Sequence, residues 1–458
     1  MSVRISPMLL QEVAANLKLA APILATQLAY VSMGTVDTIF AGRLGEKELA
    51  AVAVGSNVWF LFYILFLGLF LAVSPIVAQR VGAMELPRKI GGFVRSALLL
   101  GVVAGLIWTL ITRMLSGFAL SWLDLDGATH RMAQDYLLAV SWAGVPLCVG
   151  FVLRNTAEGH GLIKVAFIAA FCGLLVNALF DYLLMHGNFG FPELGPEGAG
   201  WASVLASVTM VVIYVALFPT DQRLRALKVF RAPWLPRFDR AQIFEVLRLG
   251  TPISAMVTAE VSLFSIGALL MARFGTGVVA AHQIAINFAS LSFMVPLSIG
   301  FATTVRVGQA AGAGNHSLIA RRGRVGIAIS ALYALLAATV MALLAPRIVA
   351  LYTDLSAVSE LAVRFLMLAA VFQLFDCVQA SANGALRGIK DTRVPMIITV
   401  FAYWLIGMPI ALGLAFRTDA GPGGIWWGFI VGLFVAAIGL CARFLSKTHP
   451  NSFWQGAA

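Results

Sequence analysis

Residues 17–42 read LKLAAPILATQLAYVSMGTVDTIFAG. They hold one charge near each end, Lys18 and Asp37, and otherwise almost nothing that water must solvate. At 1.5 Å per residue such a run is about 39 Å long as a helix, enough to cross a hydrocarbon core of about 30 Å. Eleven more runs of this kind follow, near 51–79, 92–115, 133–154, 162–185, 199–218, 247–272, 281–305, 325–345, 360–384, 395–416 and 424–444. They are too long and too weakly alternating for barrel strands. The bulk numbers agree: 60% of the 458 residues are hydrophobic and only 12% charged, against about 25% charged in a soluble domain. The mean hydropathy is +0.90. These values exclude a water-soluble enzyme and a disordered chain. The expected fold is an all-α integral membrane protein with twelve transmembrane helices.

The stretch at 17–42 also begins a repeat. LKLAAPI at 17–23 meets LRLGTPI at 247–253, and the alignment runs without a gap to residues 83 and 313. Pro22 falls on Pro252, Arg43 on Arg273, Gly45 on Gly275, Asn57 on Asn287, Gln79 on Gln309 and Gly82 on Gly312. A weaker echo joins Gly159-His160-Gly161 to Gly388-Ile389-Lys390. The offset spans six helices, an even number, so both halves enter the membrane in the same sense, a parallel repeat. The reading is two pseudo-symmetric six-helix lobes, 1–218 and 247–458, joined by a cytoplasmic linker at 219–246, with a short cytoplasmic tail. Arg and Lys on one set of loops outnumber those on the other by roughly three to one, which places both termini in the cytoplasm. The net charge of +11 is absorbed by those loops, and no nucleic-acid partner is read from it. No cleavable signal peptide is read either, because the first apolar run is too long for one.

Acids inside such spans are rare and usually functional. Asp37 and Asp181 each lie about 11 Å to the outer side of their span middles, and Ser203 about 8 Å. Asn177 precedes Asp181 by four residues and shares its helix face. These four side chains, from three helices at one depth, form a candidate cation-binding and coupling site for Na⁺ or a proton. The bland alternative has Asp181 capping a helix and Asp37 paired with Arg43. Glu260 lies mid-span, and Asp376 is within about 6 Å of its span middle. If those spans are neighbours, they form a second deep pair; the alternative is Glu260 bonded to a nearby Ser or Thr. Pro22 is a hinge candidate on the span of Asp37, or else a static kink. No catalytic residues are read: Walker A, G-x-G-x-x-G and H-E-x-x-H are missing, and His160, His282 and His316 have no metal-ligand spacing. No metal is expected beyond Na⁺ at the same acids.

Taken together, the motifs are similar to those of the multidrug and toxic compound extrusion (MATE) transporters, in the NorM-type branch. The residues that carry this resemblance are Pro22 with Asp37, Thr38 and Ala41-Gly42; Gln79 with Gly82; Asn177 with Asp181; and Gly198-Ala199-Gly200-Trp201-Ala202-Ser203. In the second half they are Glu260, Arg306-Val307-Gly308-Gln309 and Gly384-Ala385-Leu386-Arg387-Gly388. Ser203 stands where the family pattern has Thr, and Gly200 where Ala is common. The resemblance implies a secondary exporter that moves cationic, lipophilic drugs or dyes outward against Na⁺ or H⁺ by alternating access. It implies no cofactor, the lipid bilayer and cationic amphipathic small molecules as partners, a monomer, and a bacterial inner-membrane location. A flippase for a lipid-linked substrate would carry a more basic interior. A membrane enzyme would show a clustered catalytic motif, and a receptor a large extramembrane domain.

Overall fold

A computed structural model describes residues 7–123, 125–230 and 239–449. The middle of the linker, 231–238, and the tail from 450 lie outside the described residues. Among the described residues, twelve helices are long and apolar enough to cross a membrane. They are α1 (Pro7–Leu44), α2 (Glu46–Gly82), α3 (Pro87–Ser121), α4 (Gly127–Gly159), α5 (Ile163–Leu184), α6 (Pro196–Leu217), α7 (Arg240–Phe274), α8 (Thr276–Gly312), α9 (His316–Ala350), α10 (Ser356–Gly388), α11 (Arg393–Arg417) and α12 (Gly423–Lys447). Hydrocarbon offers no partner to a backbone N–H or C=O, so each span satisfies its own as a helix. Most helices are longer than the apolar runs read from the sequence.

The starts of the helices are chemically marked. The Asp126 carboxylate accepts from the Thr129 N–H at 2.7 Å before α4, and Asn315 accepts from Leu318 at 3.0 Å before α9, the usual N-cap bonds. The Asp126 carboxyl is held down to about 2, first by its hydrogen bonds from Thr129 and then by Lys47. Gly45 and Gly275, aligned in the repeat, stand immediately before α2 and α8. Gly275 has φ 106°, a conformation other residues adopt only with strain. In α11, Pro409 supplies no backbone donor, and the turns just before it, Phe401–Gly407, widen into a π-helix.

Packing repeats as well as sequence. A Cβ added to Gly159 would come within 2.8 Å of Val77 Cβ and 2.9 Å of the Ser74 carbonyl. A Cβ on Gly388 would come within 2.8 Å of Val307 Cβ and 2.9 Å of the Thr304 carbonyl. Val77 and Ser74 align with Val307 and Thr304, so the echo at 159 and 388 is the same close helix crossing made twice.

The contacts divide the chain into two units, with breaks between Ala21 and Pro22 and between Ser254 and Ala255. These breaks differ from the lobe limits read from the sequence. The first turns of α1 group with the residues from Ala255 onward, and the first turns of α7 with the unit that begins at Pro22. The cause is polar. Asn16 Nδ2 donates to Thr303 Oγ1 at 3.1 Å, and Glu12 pairs with Arg306 and, at 3.6 Å, with Arg322. In the other unit Glu245 pairs with Arg80 at 2.8 Å, and Ser254 donates to the Leu65 carbonyl at 2.6 Å.

Replacing Gly388 or Gly159 with valine should destabilise the protein by about 1–3 kcal/mol, the usual cost of overpacking. A thermal melt of the purified variants checks this; unchanged midpoints in both would contradict the shared crossing.

Candidate functional site

In the unit that begins at Pro22, α1 and α5 bring three of the expected residues together. Asn177 Nδ2 donates to Asp37 Oδ1 at 3.0 Å. The Asp181 carboxyl lies beside that of Asp37, close enough for the two to interact directly. All three are buried, Asp181 completely. The four-residue spacing on α5 sets Asn177 and Asp181 one above the other, both toward α1. Neither Asp181 oxygen has a hydrogen-bond partner, and neither has Asn177 Oδ1. Arg43 lies 5.8 Å from the Phe40 ring centroid, and no ion pair to Asp37 is found among the described residues.

Ser203 on α6 is half-buried and makes no hydrogen bond to this group. Tyr136 on α4, which the sequence did not single out, is buried and within electrostatic reach of both aspartates. Two adjacent buried carboxylates with orphaned oxygens and no fixed cation form an acceptor for positive charge. A proton on one, or a small hard cation shared with the amide oxygen, would satisfy them.

The other unit holds the second pair. Phe264 on α7 meets Phe372 on α10, ring centroids 5.7 Å apart and planes at 65°. Glu260 lies one turn before Phe264 and Asp376 one turn after Phe372, and the two acids interact electrostatically. Asp376 is 3% exposed and its Oδ1 has no partner. Glu260 is half-buried and takes no hydrogen bond from a Ser or Thr. Tyr403, on the π-helical turn of α11, donates to Gln379 at 2.5 Å and lies within reach of both acids. The widened turn also lets Trp404 donate to the Ala259 carbonyl at 3.3 Å. Such turns often occur at functional sites. Arg387, three turns beyond Asp376 on α10, is the cation in reach of Glu260.

A buried ion pair lies in the first of these units. Arg154 Nε donates to Glu158 at 2.7 Å, its terminal nitrogen donates to Gln27 at 2.6 Å, and the guanidinium lies 5.0 Å from the Tyr30 ring centroid. The sequence ended the fourth span, 133–154, at Arg154. In the structure α4 continues through it to Gly159 and buries it. The Arg-x-x-x-Glu spacing was a legible signal of that pairing.

Pro22 lies inside α1, next to the contact boundary. Lacking an N–H, it leaves the Lys18 carbonyl without its helical donor. The Thr26 hydroxyl donates to the Pro22 carbonyl at 2.8 Å.

A family model described as MatE matches residues 22–183 and again 252–412. The chain belongs to the MATE family. Both matched segments of this MATE chain open on the aligned prolines, so the family unit is the repeat itself. Among its relatives, the multidrug resistance protein PmpM of Pseudomonas aeruginosa is 40% identical over 93% of this chain and 90% of its own length. The multidrug resistance protein NorM of Vibrio vulnificus is 36% identical over 94% and 95%. A crystal structure described as MATE in the bent conformation superposes with a TM-score of 0.85 at 20% identity, covering 95% of each chain.

Removing one partner of the buried Arg154–Glu158 pair strands a charge, at a cost of about 3–5 kcal/mol. Arg154→Ala and Glu158→Ala should therefore each lower the melting midpoint sharply, and an unchanged midpoint in either variant would show the pair to be solvated.

Proposed function

We propose that this chain is a secondary multidrug exporter that carries lipophilic, cationic drugs or dyes outward as Na⁺ or H⁺ moves inward, working by alternating access. MATE membership makes it a transporter rather than an enzyme, and the named multidrug resistance relatives support the substrate class. The observation that carries the ion-coupling part is the Asp37–Asn177–Asp181 group, with two unpartnered carboxylate oxygens in the membrane interior.

Coupling follows from linkage. The ion and the drug each bring positive charge, and each therefore weakens the other's binding. Asp37, Asn177 and Asp181 receive the ion, with Ser203 a peripheral member. Glu260 and Asp376 form the second cation-binding pair. Pro22 acts as the hinge of α1, because the carbonyl it leaves free lets the helix bend there at low cost. The lobes 1–218 and 247–458 carry the transport machinery and 219–246 links them. No cofactor takes part, since the ion gradient supplies the energy. The protein works as a monomer in the bacterial inner membrane with both termini in the cytoplasm, where the loop arginines and lysines would lie.

Reconstituted into liposomes, the protein should drive dye efflux under an imposed Na⁺ gradient or an imposed pH gradient. If neither gradient alone or combined moves dye, the antiport reading fails. Asp37→Asn and Glu260→Gln should each abolish drug resistance in cells while their membrane levels match the parent. Parental resistance in both variants would remove the carboxylates from the mechanism.

A further inference from the structure

Between Leu106 and Phe118 the exposed face of α3 is apolar but for one arginine. Leu106, Ile107, Leu110, Met114 and Phe118 lie open on it, over about 18 Å of helix. In a chain with twelve membrane spans, lipid covers such a face. Arg113 is exposed and follows Leu106 by two turns, so it stands on the same stripe. It lies about 14 Å from the middle of the apolar run 92–115, at the edge of a hydrocarbon core about 30 Å thick. Phospholipid headgroups begin at that level.

The neighbouring helix holds the arginine in place. At Ser141–Ala143 α4 tightens into a 3₁₀ turn, and α3 supplies side-chain donors there. Thr109 Oγ1 donates to the Ser141 carbonyl at 2.8 Å. Arg113 Nη1 donates to the Leu138 carbonyl at 3.2 Å and to the Ser141 hydroxyl at 3.4 Å. The guanidinium carbon lies 5.2 Å from the ring centroid of Trp142, itself exposed, and tryptophan favours the level where lipid meets water. These contacts use Nη1 and one face of the guanidinium. Nε and Nη2 make no hydrogen bond, and Arg113 has no ion pair among the described residues, Asp135 one turn before Leu138 included. That free edge carries the two parallel N–H groups that fit a phosphate bidentately.

A guanidinium keeps its charge at any ordinary pH, and an uncompensated charge beside hydrocarbon is costly. The protein offers this one a carbonyl, a hydroxyl and a ring, but no anion. We propose that Arg113, held by Leu138, Ser141 and Trp142, binds the phosphate of an anionic phospholipid seated against α3 and α4. Basic sites between membrane helices take lipid headgroups in this way. An anionic lipid leaves the pair neutral, whereas a zwitterionic one brings a cationic group of its own toward the guanidinium. The acyl chains lie along the apolar stripe that runs from Phe118 back to Leu106. The site stands apart from the exporter reading and needs only that α3 and α4 span the bilayer.

Native mass spectrometry of the full-length protein, titrated with dioleoylphosphatidylglycerol, tests it. Arg113→Gln should weaken one bound phosphatidylglycerol about tenfold or more, the loss of a charged hydrogen bond. Dioleoylglycerol, which has the same tails and no phosphate, should bind both proteins alike, and dioleoylphosphatidylcholine should bind the unaltered protein less tightly than phosphatidylglycerol. A phosphatidylglycerol with a photoreactive headgroup should label residues 105–122 or 131–145 in the unaltered protein and not in R113Q. Equal phosphatidylglycerol affinity in the two proteins, or labelling of those segments that persists in R113Q, would overturn the site. Equal binding of phosphatidylcholine would overturn its preference for an anionic lipid. Displacement of the lipid by inorganic phosphate would show a free-anion site instead. Trp142→Leu keeps the arginine and removes the ring beside it, and it should weaken phosphatidylglycerol but not dioleoylglycerol. No change for either lipid in W142L would overturn the site even if R113Q failed to fold.

Discussion

An ionised carboxylate in hydrocarbon must be neutralised, and this molecule meets that demand in three ways. Glu158 has a permanent partner in Arg154. Asp37 and Asp181 have each other and an amide, an arrangement that satisfies hydrogen-bonding geometry in part and charge not at all. Glu260 and Asp376 have an arginine at a distance. The gradient from closed to open neutralisation separates groups that hold the protein together from the groups proposed above to exchange a cation. A closed pair contributes rigidity. An open one leaves carboxylate oxygens that no protein group has satisfied.

The repeat makes that separation possible. The helix crossings at Gly159 and Gly388 are the same packing built twice, and the matched family segments start at aligned prolines. On this common frame the charged positions differ. Tyr30 aligns with Glu260, and Glu158 aligns with Arg387. In one unit the aromatic ring lies under a guanidinium; in the other an acid takes that place. The two halves share these close crossings while the charges at aligned positions differ, and the backbone differs too, since α11 widens into a π-helix where the aligned α5 stays regular.

The twelve spans and the aspartates were legible because hydrocarbon imposes rules with few exceptions: apolar length marks a helix, and an acid within it is rare. Asn177 and Asp181 were joined correctly by their spacing on one helix. Depth alone suggested Ser203, but depth does not fix how a neighbouring helix is rotated, and Ser203 makes no bond to the group. Tyr136 and Tyr403 were hidden for a related reason, since a tyrosine in an apolar run reads equally as core. Arg154 was hidden because a charge was taken to end its span, whereas Glu158 one turn on allows the helix to bury both. The exchange of the first turns of α1 and α7 between the units rests on bonds across long stretches of sequence, which local patterns do not carry.

That exchange also bears on biosynthesis. Asn16 bonds to Thr303, 287 residues downstream. At about 5–20 residues per second, the ribosome needs about 15–60 s to make the intervening chain. Through that interval the first turns of α1 lack the partners that Thr303, Arg306 and Arg322 will provide. The first turns of α1 are therefore made well before the residues they bond to.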